Sequence, residues 1–212
     1  MSRFLSIVCP LLTLLLVGCV GSGNPDAGDT SDAATIVPDS AMGPKEAYAA
    51  FADNLRNGDA DGAAAFIATS SEPEREAAEA MMRTQHLNLQ LGEAVAEVLD
   101  EPGAMAVSGP VVDPAQIEAL QEQIDGDRAV LSNGVERQAG AFRLTMVRDG
   151  GVWKLPLDQL ADPMPPAQII EQAQIAQEAM RRVLPRVRAG EFSQPEEVST
   201  AVVTEMYRQQ GR

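Results

Sequence analysis

Apolar side chains recur every three or four residues over several stretches of this chain, which is the pattern of helices that bury one face. The first predicted helix begins near Pro44. A short second helix, capped by Asp59 or Asp61, is predicted to carry Phe66 and Ile67 on its buried side. The folded part of the chain is therefore predicted to open with two helices.

A Ser-x-x-Glu capping box at residues 71–74 predicts the start of a third, longer helix. Its apolar spacing continues to Leu99, with Gly92 as a point where the helix breaks or kinks. Asp113 followed by Pro114 predicts the start of a fourth, short helix. The apolar side of this fourth helix is predicted to consist of Ile117, Leu120 and Ile124.

Strand patterns occupy the middle of the chain. Residues 141–148 alternate between apolar and polar side chains, with Phe142, Leu144 and Met146 on one face. Asp149-Gly150-Gly151 then predicts a tight turn that leads into a partner strand. The predicted strands are residues 104–108, 128–132, 141–148 and 152–157.

Two more helices are predicted after the strands. The first extends from Pro166 to Gly190, with a kink at Pro185 because proline lacks a backbone N–H. A second capping box, at residues 193–196, opens the last helix. Helices on both sides of a block of paired strands predict the fold class α+β.

Two short motifs resemble the nuclear transport factor two-like superfamily. The run Ala47 to Ala63 is similar to that family's first helix, its Gly-Asp turn and its small second helix. Gly150-Gly151-Val152-Trp153-Lys154-Leu155 is similar to the Gly-x-Trp-Lys-Leu hairpin of bacterial lipoproteins with this fold. The resemblance implies N-terminal helices packed on a small curved antiparallel sheet over residues 43–162, with residues 163–212 as a C-terminal helical extension. It implies no single activity, because the superfamily includes isomerases, dehydratases, small-ligand binders and protein-binding modules.

The N-terminus has the composition of an export signal. Arg3 supplies a positive charge, and residues 4–17 form an almost entirely apolar run that is too short to span a bilayer. Leu16-Val17-Gly18-Cys19 then resembles the lipobox of bacterial lipoproteins. That resemblance implies removal of residues 1–18 as a signal peptide and acylation of Cys19 with diacylglycerol and a fatty acid such as palmitate. The alternative is an uncleaved apolar anchor that ends at Cys19.

The segment that follows has a different composition. Residues 19–42 are rich in Gly, Pro and Asp and contain no basic residue. Low hydrophobicity with one sign of charge predicts a disordered acidic tether. Leader, lipid and tether together predict a cell-envelope protein that its lipid holds at a membrane. Val20 after Cys19 favours the outer membrane, facing the periplasm.

Composition excludes one class of partner and several kinds of site. The chain has 16 basic and 31 acidic residues, a net charge of −15, which repels nucleic-acid phosphates. Nucleic-acid binding is therefore not expected. Of the two cysteines, Cys9 lies in the predicted leader and Cys19 carries the predicted lipid, so no thiol remains for a disulfide or a metal. No spacing typical of a metal or cofactor site occurs, and neither is expected.

Three residues are weak candidates for a ligand-binding or catalytic site. His86 is the only histidine, and its ordinary pKa near neutrality suits a general base. Asp158 follows the last strand, where a buried carboxylate acts as a base in some enzymes. Trp153 has a ring that stacks on ligands, although a hairpin tryptophan more often belongs to the core. Tyr48 is expected in the core, and no residue is assigned as catalytic.

The favoured functional hypothesis is a non-enzymatic module that binds a protein partner or a small apolar ligand. One alternative is an isomerase- or hydrolase-like enzyme that uses the concave face of the sheet. Another is a structural envelope component that docks a partner through its C-terminal helices. A basic cluster at the end of the long C-terminal helix either complements the helix dipole or meets an acidic partner. The cluster consists of Arg181, Arg182, Arg186 and Arg188.

Overall fold

The computed structural model describes residues 35–99, 107, 114–135, 142–161 and 164–211. The helices are α1 (Pro44–Arg56), α2 (Ala60–Ala64), α3 (Glu72–Val98), α4 (Pro114–Glu118), α5 (Leu157–Leu160), α6 (Pro166–Arg188) and α7 (Pro195–Gln210). The strands are β1 (Ile67–Ala68), β2 (Gln121–Asp125), β3 (Arg128–Ser132), β4 (Arg143–Asp149) and β5 (Val152–Pro156). Helices before and after a sheet confirm the predicted α+β class.

The described residues fall into two compact units, each assembled from separate stretches of the chain. A sheet unit lies within Leu16–Ala68 and Val112–Pro156. A helical unit lies within Thr69–Val111 and Leu157–Arg212. The sheet unit therefore contains α1, α2, α4 and all the strands, and the helical unit contains α3, α5, α6 and α7.

The five strands form one sheet in the order β1-β5-β4-β3-β2. The pairs among β2, β3, β4 and β5 are antiparallel, as the resemblance implied. β1 differs, because it pairs in parallel with β5, with Ile67 opposite Leu155. β1 reaches this edge from α2 and not through a hairpin, so its direction is not tied to that of its neighbour.

The hairpin between β4 and β5 is confirmed at its predicted place. Asp149 lies opposite Val152, so Gly150 and Gly151 form a two-residue loop. Both glycines have positive φ, 60° and 88°, as a type I′ turn requires at both central positions. Side chains other than glycine are strained in that conformation, which explains the Gly-Gly pair.

One face of the sheet is buried, and α1 packs on it. Tyr48 of α1 is 2% exposed, and its ring lies 6.1 Å from that of Phe142, at the start of β4. Alternate residues of β3, β4 and β5 supply the sheet side of this core, as a period of two dictates. These residues are Ala129, Leu131, Leu144, Met146, Trp153 and Leu155. The predicted core position of Tyr48 is confirmed.

The helical unit has its own apolar core between α3, α6 and α7. Each helix contributes residues at the three- and four-residue spacing seen in the sequence. The buried members include Leu91, Ala94 and Val95 of α3, Ala179, Met180, Val183 and Val187 of α6, and Val198 and Val202 of α7. α3 continues without a break through Gly92, which is buried, so the predicted break is wrong.

Three local predictions are wrong. Phe66 and Ile67 do not lie on a helix, because the Phe66 carbonyl accepts a hydrogen bond from the Leu155 N–H at 2.8 Å and pulls this segment into the sheet. Ile124 lies on β2 and is 53% exposed. The last helix begins one residue later than its predicted capping box, with Gln194 as its N-cap.

Candidate functional site

Several predicted features lie outside the described residues. They are the leader with Cys9, the lipobox with Cys19, residues 20–34 of the predicted tether, and residues 104–108 of a predicted strand apart from Val107. The predicted lipidation site therefore remains a sequence-based expectation. The other candidate residues lie within the described part of the chain.

Trp153 lies in the core of the sheet unit. It is 3% exposed, and the Arg148 guanidinium lies 5.1 Å from the ring centroid. Arg148 is also its cross-strand partner in the register of β4 and β5. A cation over the face of an indole is a stabilising contact. The indole ring is thus covered by Arg148 of its own hairpin and by core side chains, and it is not available to stack on a ligand.

His86 lies in the middle of α3, half-buried. Its Nε2 lies 2.9 Å from the Nε2 of Gln90, one helical turn along the same helix. With the Gln90 amide as donor, Nε2 is the accepting nitrogen and the ring proton lies on Nδ1. The lone pair that a general base needs is therefore engaged within α3. Nδ1 is buried without a partner among the described residues.

Asp158 is exposed and is the second residue of the four-residue helix α5. A carboxylate in a first turn interacts favourably with the helix N-terminus. This position gives Asp158 a local structural role, and solvent surrounds the carboxylate that was considered as a base.

The arginine cluster at the end of α6 is used largely within the helical unit. Arg182 pairs with Glu178 at 2.8 Å and with Glu205 of α7 at 3.7 Å. Arg186 pairs with Glu191 at 2.8 Å. Glu205 is only 8% exposed, so its charge needs a cationic partner.

Three further contacts involve this cluster or its partner Glu205. Arg208 also binds Glu205, and the Arg186 guanidinium lies 4.9 Å from the ring centroid of Phe192. Arg181 donates to the Gln177 Oε1 at 3.3 Å. Arg186 and Arg188 lie in the last turn of α6, where they complement the helix dipole as one interpretation expected. The contacts add a role that neither interpretation included, because they join α6 to α7 and the turn between them.

Sequence reasoning missed Asn54, a polar residue with a marked structural role. Asn54 is 1% exposed and lies on α1, beside the buried Phe51 and Leu55. Its side-chain amide binds both backbone polar groups of Ile36. The available signal was an asparagine within an apolar helical stripe, since a buried amide requires partners.

Neither a metal site nor a membrane span is found in the described part of the chain. No group of three or more His, Cys, Asp or Glu side chains lies close enough together there to hold a metal ion. None of the helices described combines the length and the apolar character that crossing a bilayer requires. Comparison with protein-family models, with curated proteins and with solved structures gives no match to this chain.

Proposed function

We propose that this chain is a lipid-anchored protein of the bacterial cell envelope, and that its folded part is a non-enzymatic module that binds another protein. The observation that carries the anchor is the motif Leu16-Val17-Gly18-Cys19 directly after an apolar run with Arg3 at its start. The run is too short to span a bilayer, so a lipid on Cys19 supplies the attachment. The outer membrane, facing the periplasm, is the proposed location.

The contacts of the candidate residues support a non-enzymatic module. The ring of Trp153 is packed in the core, and the accepting nitrogen of His86 is bound to Gln90. Asp158 is exposed to solvent. A catalytic base needs a free lone pair near a bound substrate, and these environments offer His86 and Asp158 no such arrangement.

Burial on the sheet also favours a protein partner over a small apolar ligand. Tyr48 and Trp153 are 2% and 3% exposed, and Leu155 is fully buried. These side chains pack on the face of the sheet that α1 covers. A ligand there would have to displace core side chains, whereas a protein partner contacts the outer surface.

We also propose that the sheet unit has the nuclear transport factor two-like fold. Two helices precede the sheet, α1 packs on its buried face, and the Trp153 hairpin lies in the antiparallel part. These features support the resemblance in the motifs.

The anchor is tested by mass spectrometry of the protein from the membrane fraction. We expect the wild-type chain to begin at Cys19 and to carry acyl groups, and the Cys19→Ala variant to carry none. Cys9→Ala is the matched control, because it removes the other cysteine and should leave the acylated product unchanged. An acylated Cys19→Ala protein, or a wild-type mature chain that begins elsewhere, would refute the anchor.

The module is tested by crosslinking in membranes and by stability. The only lysines are Lys45 and Lys154, so an amine crosslinker reports on two defined sites, and we expect adducts with a neighbouring protein. His86→Gln and Asp158→Asn should not stabilise the fold, whereas substitution of catalytic residues often does. A stability gain of about 1 kcal/mol in either variant, or a small molecule retained in native mass spectra, would contradict this function.

A further inference from the structure

Both backbone polar groups of Ile36 are bound to one buried side chain. The Asn54 Nδ2 donates to the Ile36 carbonyl oxygen at 2.6 Å, and the Ile36 N–H donates to the Asn54 Oδ1 at 3.1 Å. Asn54 is 1% exposed. The amide thus exchanges two hydrogen bonds with one residue, as directly opposed residues do in an antiparallel pair. Ile36 lies in the segment that composition assigns to the acidic tether.

Hydrogen bonds of the residues after Asn54 fix the turn that follows it. The Asn54 carbonyl accepts a hydrogen bond from the Asp59 N–H at 2.8 Å, and the Asp59 Oδ1 accepts one from the Gly62 N–H at 2.7 Å. A Cβ atom at Gly62 would lie 2.9 Å from the Asn54 Nδ2 and 2.3 Å from the Asp59 Oδ2. Glycine at position 62 is therefore required for this arrangement, and the socket for Ile36 is a built feature of the turn between α1 and α2.

The chain between Ile36 and α1 is fixed at two further points. The Ala41 N–H donates to the Asp39 Oδ1 at 2.9 Å and the Met42 N–H to the Asp39 carbonyl at 3.1 Å, which form a turn. The Gly43 N–H donates to the Glu46 Oε2 at 2.9 Å. Asp39, which composition assigns to a disordered tether, has a defined structural role.

The segment between Ile36 and Pro44 is long enough to lie along α1. Asn54 lies ten residues after Pro44, which is about 15 Å along a helix axis. The eight steps from Ile36 to Pro44 span up to about 28 Å when extended. The segment therefore has the length to return along α1 from its C-terminal end to its start.

We infer that residues 35–43 form a strap along α1, which is locked by Asn54, so that the N-terminal chain joins the folded unit beside the end of α1. The strap would also shorten the spacer between the lipid and the folded unit, and this part of the inference rests on the proposed lipid anchor. The spacer after Cys19 then consists of residues 20–34 and not 20–42. With the flexibility that its composition predicts, a spacer of that length would have a root-mean-square reach of about 21 Å, against about 26 Å for the longer one.

The strap is tested first without reference to the lipid, by hydrogen exchange of the full chain carrying Cys19→Ala. We expect the Ile36 amide to exchange at least about tenfold more slowly than in an unstructured peptide, and Asn54→Ala to abolish this protection. An unprotected Ile36 amide in the Cys19→Ala chain, or unchanged protection in Asn54→Ala, would overturn the strap.

A second variant keeps Asn54 and the core intact. Ile36→Pro removes the backbone donor together with the isoleucine side chain, and it should make residues 35–42 about tenfold more sensitive to a nonspecific protease. Ile36→Ala removes the side chain alone and should leave most of the protection in place. Val37→Pro is the matched control, because Val37 is 63% exposed and its N–H has no partner within the described residues. Equal sensitivity of the two proline variants would refute a role for the Ile36 N–H.

The membrane consequence is tested with the lipidated protein on vesicles of phosphatidylethanolamine and phosphatidylglycerol that contain a dansyl-labelled lipid. Trp153 is the only tryptophan and serves as the energy donor. Release of the strap by Ile36→Pro should lower the transfer efficiency, and Val37→Pro should not. If wild-type protein does not attach to the vesicles, the lipid anchor fails, while the exchange result still decides the strap. Attachment with equal transfer in all variants would refute the shortened spacer.

Discussion

A polar bridge inside the helical unit gives a quantitative prediction of stability. Gln177 of α6 is 7% exposed, and its Nε2 donates to the Ala80 carbonyl of α3 at 2.9 Å and to the Thr84 Oγ1 at 3.1 Å. Thr84 itself donates to the same carbonyl at 2.8 Å. The bridge joins two helices whose contact is otherwise mainly apolar.

Two substitutions of Gln177 separate the contribution of its hydrogen bonds from that of its volume. Gln177→Ala loses the two hydrogen bonds to α3, at about 1 kcal/mol each, and two buried methylenes, at about 0.8 kcal/mol each. It also loses the long hydrogen bond from Arg181, whose guanidinium regains water and so adds little to the sum. The higher helix propensity of alanine returns about 0.4 kcal/mol, so the expected loss is about 3 kcal/mol. Gln177→Met keeps the volume and gains apolar burial, so the expected loss is about 1 kcal/mol. The Ala80 carbonyl keeps its bond from Thr84, so no buried acceptor is orphaned.

The assay is urea unfolding followed by far-UV circular dichroism, to which α3, α6 and α7 contribute most of the helical signal. The fluorescence of Trp153 reports separately on the sheet unit. A free energy of unfolding for Gln177→Ala within about 0.5 kcal/mol of wild type would refute the buried bridge. If Gln177→Met were as destabilising as Gln177→Ala, the volume argument would be wrong.

Three further predictions concern the sheet unit. Burial raises the pKa of Tyr48 to about 12, so its contribution to stability is fully present well below pH 10 and falls by about 2 kcal/mol between pH 10 and pH 12 as the unfolded chain ionises. Alkaline unfolding of Tyr48→Phe should lack this part of the loss, and an identical pH profile would contradict the assignment. Gly62→Ala should cost about 1–3 kcal/mol by thermal unfolding, because its Cβ meets Asp59 and Asn54, whereas Gly43→Ala, with 3.9 Å of clearance, should cost far less. Arg148→Ala should change the Trp153 emission and lower stability by about 0.5–1 kcal/mol, and Arg128→Ala should leave the emission unchanged.

Local signals in the sequence predict local structure well in this chain. Gly150-Gly151 predicts its hairpin because only glycine accepts positive φ at both positions without strain. Ser71 predicts the start of α3 because a capping side chain bonds within its own turn. The fold class follows from the order of such elements.

Features that depend on distant partners were not predictable in the same way. β1 has only two residues, and its conformation is set by β5. β2 has the sequence Gln-Glu-Gln-Ile-Asp and is exposed throughout, so it carries no alternating apolar pattern. These polar residues form a strand because they pair with the edge of β3.

Asn54 and Gln177 were not predicted for the same reason, because their hydrogen-bond partners are distant in the sequence. Asn54 binds a residue 18 positions earlier, and Gln177 binds one 97 positions earlier, so no spacing rule connects the partners. His86 and Asp158 attracted attention by residue type, but burial and hydrogen bonding decide what a side chain does. An asparagine or glutamine within an apolar helical stripe indicates a buried amide that requires hydrogen-bond partners elsewhere in the fold.

The net negative charge of the chain disfavours electrostatic attachment to an anionic membrane, which is consistent with the proposed lipid anchor. Several cations of the helical unit are paired with nearby acids, as Arg75 is with Glu72 and Glu79 and Arg182 with Glu178, which reduces their attraction to an anionic bilayer. The net charge of −15 therefore acts repulsively toward anionic lipids within about 8–10 Å of their surface. Electrostatic attraction cannot hold such a domain at a membrane, whereas several acyl chains on Cys19 would. In the proposed anchored state, the same repulsion would keep the domain away from an anionic lipid surface. A partner would then be met in the aqueous space, at a distance that the Asn54 strap limits.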